Sequence, residues 1–312
     1  MNRINYCFLA GVVLFLISCK KDAPTEQPGL VQSPFISKIL EYAPAPGQFI
    51  NDKSYGTQAK AQDLIGGVDN GILSLGGYGG YLIFAFDHSI ANVNGNDIGI
   101  YGNPLFISGA EWSEPGIVMV SVDANKNGLA DDFWYELAGS EYASAETIKN
   151  YKITYTNPKN TTDDIKWVDN QGKSGLVLRN SFHAQNYFPE DKSVQNEISF
   201  TGTLLKNTIV GGGVIANLPF SFGYSDSGSK EYIDLQNQIG RGYNAFDISW
   251  AVDQTGNKAN LSSIDFIKVY TGQNCNGNPY VQNDNPQSRF IGEVSTEIAG
   301  AIDIALYNKQ KN

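Results

Sequence analysis

Cysteine is scarce in this chain, with three residues in 312, and two of them, Cys7 and Cys19, fall in the first nineteen positions. Cys275 is therefore the one thiol of the main body, and no internal disulfide network can hold it. Histidine is scarcer still, at two residues, which excludes any site built on three imidazoles. Charged side chains make up only 17%, too few for long solvated helices, and the net charge of -10 lacks the basic excess that nucleic-acid binding requires. No apolar run reaches the roughly 20 residues of a membrane-spanning helix. Also missing are a G-x-S-x-G elbow, an H-E-x-x-H zinc motif, a phosphate-binding G-x-x-x-x-G-K-[ST] loop and a dinucleotide fingerprint. Glycine (33), tyrosine (17) and phenylalanine (16) are plentiful instead, a balance that suits short strands joined by tight turns.

The N-terminus reads as an export signal. Arg3 precedes an apolar stretch over residues 6–17, the length of a signal-peptide core. It ends in Leu16, Ile17, Ser18 and Cys19, a lipobox pattern that makes residues 1–18 a lipoprotein signal and Cys19 the lipidated residue. Residues 19–34, with Pro24, Pro28 and Gly29, read as a flexible tether. The expected location is the outer membrane, lipid-anchored and facing the cell surface. Two or three acyl chains at about 0.8 kcal/mol per buried CH₂ would make that attachment nearly permanent.

Residues 35–307 read as an all-β body, with 308–312 as a tail. Period-2 alternation marks strands at 246–252 and 151–155. Residues 81–86 and 116–122 are apolar on both phases, as central strands are. Further strands are expected at 97–101, 133–137, 175–179, 197–201 and 265–270. Short helices are expected at 34–42 and 293–304. With no repeat of fixed period, the expected architecture is an antiparallel, jelly-roll-like β-sandwich, or two fused sandwiches with a joint near 157–164.

One spacing carries chemistry. Asp123, Asn125 and Asn127 alternate ahead of Gly128, followed by Leu129, Asp131 and Asp132, the first part of a D-x-[DN]-x-[DN]-G calcium loop. Alternation places hard oxygens on one side of a curled backbone, the Leu129 carbonyl points inward, and Asp131 occupies the ninth position. The twelfth position is Trp134, not the bidentate Glu of an EF-hand, and the flanks read as strands. The expectation is a structural calcium on a hairpin, with Asp132 as substitute ligand. The similar stretch 253–257 lacks the third-position acid or amide and reads as a β-turn.

Candidate ligand contacts are aromatic. Trp112 lies in a polar, glycine-containing stretch, and an accessible indole stacks on a sugar ring or a flat conjugated ligand. Glu114 beside it and Tyr78 in the glycine-rich stretch 75–80 complete the set. Glu114, Glu136 and Glu141 all neighbour aromatics, so a glycoside hydrolase or lyase using two acids is the catalytic alternative. A non-catalytic binding protein is the leading reading, and a calcium-stabilised structural or adhesive module is the third.

Several segments together resemble a family of Bacteroidota cell-surface lipoproteins. They are residues 41–49, 74–80 with 86–90, 113–120, the calcium-type loop running into 134–140, and 265–272. The resemblance spans about residues 41–305. It implies a surface lipoprotein that captures a nutrient, a corrinoid such as vitamin B12 first and a glycan second, as accessory to a TonB-dependent outer-membrane transporter.

Overall fold

A computed structural model describes residues 31–107, 110–211, 215–233, 242–275 and 286–311. The signal segment and Cys19 lie outside the described residues. Residues 32–312 cluster as one compact unit.

The chain is all-β and its ladders are nearly all antiparallel. The largest sheet has six strands in the order Lys38–Ala43, Tyr81–Ala91, Ser263–Thr271, Gly116–Ser121, Trp134–Leu137 and Ala251–Val252. A four-stranded sheet joins Tyr232–Ile233, Tyr243–Phe246, Ile98–Tyr101 and Gly300–Asp303. A second is built from Ser174–Val177, Ile165–Asp169, Ile148–Thr156 and Glu197–Leu204. Two small sheets complete the ladders: one around Ala110–Trp112, with one parallel contact between Trp112 and Asn217, and one pairing Leu73–Ser74 with Glu297–Ile298. The β content matches expectation, but five separate sheets do not make one clear two-sheet sandwich. Residues 157–164 connect two strands that pair with each other in the second four-stranded sheet.

The strands that are apolar on both phases are the ones with both faces covered. In the six-stranded sheet Leu82, Phe84, Val118, Val120, Ile267 and Val269 point to a core shared with Ile98, Ile100, Phe246 and Ala301 of the first four-stranded sheet. The opposite face carries Ile117 and Tyr270, which pack on Leu205, Phe220 and Tyr224. A third cluster, around Tyr151, Tyr155, Trp167 and Phe188, fills the space under the second four-stranded sheet.

Three local expectations need correction. Residues 34–42 form no helix. Phe35 bridges to Ile302 and Lys38–Ala43 pairs along Tyr81–Ala91, because an edge of the large sheet offers more backbone partners than one isolated helical turn. Residues 293–304 are extended up to Asp303, with Ile298, Ala301 and Ile302 fully buried; the helix begins at Ile304 and runs to Lys311, through most of the expected tail. The alternating run 246–252 is broken. Asp247 accepts from Ser249 N at 2.7 Å and caps a 3₁₀ turn over Ile248–Trp250, leaving strand only on either side. The short polar cap outcompetes the ladder there.

The N-terminal stretch is tied to two sheets at once. Ser37 N donates to Ala85 O of the six-stranded sheet, and Asp303 N of the four-stranded sheet donates to Pro34 O.

Candidate functional site

The two residues Trp112 and Glu114 come together in a cavity of about 350 Å³. Phe49, Tyr55, Ile72, Leu105 and Trp112 supply its apolar wall, and Asn103, Glu114, Ser295 and Glu297 are among its polar groups. Trp112 ends strand Ala110–Trp112 and Glu114 follows two residues on, so the indole and the carboxyl both line the cavity. Trp112 is half-buried rather than exposed.

Beneath this wall lies a carboxyl cluster that sequence reasoning did not assemble. One carboxylate oxygen from each of Glu114, Asp226 and Glu297 lies within 4.8 Å of the others. Backbone amides hold them in place. Glu114 Oε1 accepts from Ser295 N at 2.9 Å, Asp226 Oδ1 from Asn103 N at 2.8 Å, and Asp226 Oδ2 from Glu297 N at 2.8 Å. Asp226 adopts a left-handed backbone (φ 53), and its α-carbon packs so closely on Gly102 that a side chain at Gly102 would collide with it. Among the described residues no Lys or Arg pairs with any of the three.

Burial without a cation pushes all three carboxyls up from their ordinary range. For Glu297 the burial is reinforced by the Glu114 and Asp226 charges and by a hydrogen bond with Glu114. Glu114 and Glu297 thus form a close carboxyl pair whose mutual charge favours keeping a proton. Glu293 lies close by, 3% exposed, with Oε1 accepting from Gln48 N at 2.8 Å and Oε2 buried without a partner. Burial pushes it up to about 8. Asn103 Oδ1, on the cavity wall, is likewise a buried acceptor without a donor. Chemically, the arrangement offers an aromatic face, a close carboxyl pair and an unfilled amide oxygen.

Tyr78 does not belong to this site. It is 1% exposed and its ring packs edge-on against Tyr151 at 4.9 Å and Tyr270 at 6.4 Å, inside the core. The flanking glycines conceal this in the sequence: Gly76 and Gly79 turn at positive φ and let the backbone press against its neighbours, which drives the tyrosine inward.

The stretch 123–132 forms a tight loop outside the cavity. Asp123 accepts from Asn127 N at 3.0 Å and Gly128 N at 2.9 Å. Asn125 Oδ1 accepts from Asn127 N at 3.0 Å, and Asn127 Oδ1 from Leu129 N at 2.8 Å. The Asn125 and Asn127 side-chain amides converge on the Asp131 carboxylate at 3.1–3.3 Å. Lys126 (φ 58) and Gly128 (φ 74) make the reversal. Asp123, Asn125, Asn127 and Asp131 thus belong to one hydrogen-bonded loop, with the Asp123, Asn125 and Asn127 oxygens taken by backbone amides. Asp132 turns instead to Ala124 N at 3.0 Å, and the Leu129 side chain is exposed. Residues 253–257 form the expected turn, with Gly256 N donating to Asp253 O at 2.9 Å.

The two histidines stand apart. His88 lies between Asp87 (2.6 Å) and Asp303 (3.0 Å). Burial pulls its pKa down, but the two carboxylate bonds outweigh this and raise it. His183 packs edge-on against Phe49 at 4.7 Å, behind the cavity wall. Cys275 is a free loop thiol whose pKa burial pushes up. Glu136 is bonded to Lys149 and Thr203, and Lys206 bridges Glu141 and Glu146. No helix among the described residues is long and apolar enough to cross a membrane. No family model matches this chain, and no curated protein does.

Proposed function

We propose that this protein is a lipid-anchored binding protein, attached through Cys19, that holds a nutrient molecule without transforming it, with the Trp112–Glu114 cavity as its ligand site. The observation that carries this reading is the pairing of an indole wall with three hydrogen-bonding groups in a concave site: Glu114, Glu297 and the donorless Asn103 Oδ1. Aromatic stacking with a few fixed polar groups is how a sugar ring is recognised. At about 350 Å³ the cavity is at the small end of small-molecule sites, which run from roughly 300 to 1,000 Å³. A sugar therefore suits it better than a corrinoid, which would have to lie across its mouth against Tyr55 and Leu105. The large and four-stranded sheets that share a core support a sandwich-type scaffold behind the site. A structural calcium in the loop 123–131 would stiffen one end of that scaffold, and a TonB-dependent transporter is the expected recipient of the ligand.

A hydrolase reading is weaker. Two-acid glycoside hydrolysis needs carboxyls about 5–5.5 Å apart for retention and about 6.5–9.5 Å for inversion. Carboxylate oxygens of Glu114 and Glu297 lie within 4.8 Å, closer than either. The test is calorimetric titration of the mature protein with a neutral oligosaccharide panel and with cyanocobalamin, repeated on Trp112→Ala and Glu114→Gln. Saturable sugar binding lost in both variants supports the reading. Binding that neither substitution weakens, or reducing-sugar release from the panel, refutes it.

A further inference from the structure

A second concave site lies on the outer face of the six-stranded sheet, and nothing in the preceding reading uses it. Strand pairing sets Lys268 opposite Met119, Met119 opposite Glu136, and Glu136 opposite Val252, so these four side chains form one row across the sheet. The neighbours of Lys268 along its strand, Ile267 and Val269, point to the core on the other face. A lysine thus stands mid-strand in the interior of a sheet, where an apolar residue would be the default. The row floors a groove of about 540 Å³ whose walls include Trp134, Tyr142, Lys149 and Thr201.

The charges in this groove do not cancel. Glu136 is fully engaged, accepting from Lys149 Nζ at 3.3 Å and from Thr203 Oγ1 at 2.6 Å. Lys149 is therefore neutralised, and it also covers the Tyr142 ring at 3.3 Å. Lys268 has no such partner. Its ammonium sits 4.0 Å from the centroid of the Tyr81 ring, and among the described residues no carboxylate lies within ion-pairing distance of it. The nearest acid that influences it, Glu41, accepts the Tyr81 hydroxyl at 2.7 Å. Burial lowers the Lys268 pKa, as it must for an ammonium that has lost water without gaining an anion.

We propose that this groove is a binding site for an acidic sugar, whose ring lies along Trp134 and whose carboxylate or sulfate completes the Lys268 ammonium. An anion placed there recovers the electrostatic energy that burial removed from the lysine, and it does so in a partly dry site where screening is weak. The Trp134 indole supplies the stacking surface. The proposal goes beyond the reading of the Trp112 cavity and does not depend on it.

Calorimetry on the mature protein separates the two. The probes are a galacturonic acid trimer, a sulfated galactose trisaccharide and maltotriose as neutral control, each titrated at low and high salt. One or both acidic probes should bind at least tenfold more tightly than maltotriose, with affinity falling as salt rises. Whichever of the two binds better identifies the anion as carboxylate or sulfate. Lys268→Met replaces the ammonium by an apolar chain of similar length and should keep the fold while weakening acidic-probe binding at least tenfold. Trp134→Ala should weaken it as well, and Trp112→Ala should leave it unchanged. Silence from both acidic probes, equal binding of maltotriose, or unaltered affinity in a folded Lys268→Met protein overturns the proposal.

Discussion

Replacing Glu293 by Gln should stabilise the protein relative to the parent progressively as pH rises above about 5. Glu293 is 3% exposed, one of its oxygens accepts from Gln48 N, and the other has no partner. Its pKa rises from 4.5 to about 8, chiefly through burial. Below pH 4.5 the group is protonated in both folded and unfolded chains and costs nothing. Between 4.5 and about 8 the folded state keeps a proton that the unfolded state has lost, so stability falls with rising pH. At about 1.4 kcal/mol per pH unit the full loss is about 5 kcal/mol, of which about 4 kcal/mol falls between pH 5 and pH 8.5. Gln keeps the acceptor for Gln48 N and never ionises, although its amide leaves buried donors unpaired at a cost of about 1–3 kcal/mol. Urea unfolding of both proteins at pH 5, 7 and 8.5 reads the difference. Glu114, Asp226 and Glu297 also titrate high and remain in both proteins, so the comparison reads Glu293 together with its charge coupling to Glu114 and Glu297. The variant should be no more stable than the parent at pH 5 and gain about 4 kcal/mol relative to it by pH 8.5. Parallel pH profiles would refute the account of a buried, cation-free acid.

Gly79→Ala should be strongly destabilising: φ is +87, and the new β-carbon would lie 2.3 Å from Phe200 Cβ. Left-handed backbone costs about 1–2 kcal/mol and overpacking about 1–3 kcal/mol more, so a thermal melt should drop by several degrees. Calcium added to EDTA-treated protein should raise the melting temperature, and Asp123→Ala or Asp131→Ala should abolish the rise without affecting ligand titrations at the Trp112 cavity. An identical shift in those variants would place the ion elsewhere, with the Glu114, Asp226 and Glu297 carboxyls the next candidates.

Strands that were apolar on both phases could be read directly, because burial on two faces leaves a pattern that survives without tertiary context. Residues 34–42 misled because an i, i+3, i+4 spacing of Phe35, Ile36, Ile39 and Leu40 also serves a bulged edge strand, and the register along Tyr81–Ala91 does shift between Ile39 and Glu41. Trp112 and Glu114 were found through local composition. Asp226 was not, since Ser225, Asp226, Ser227 and Gly228 read as an ordinary turn. Glu297 sits in a two-residue strand, too short to show any period. The cluster they form with Glu114 is closed by bonds spanning 71 and 181 positions, contacts that leave no trace in local spacing. Lys268 did leave one: a single cation inside the otherwise apolar run 266–270 is a signal that can be sought in other sequences.

The double attachment of residues 34–37 has a mechanical consequence. A load entering the body from its N-terminal side meets Pro34 and Ser37, one joined to each of two separate ladders. Such a load must break the hold on the four-stranded sheet at Pro34 before it reaches Ser37 and the edge strand Lys38–Ala43.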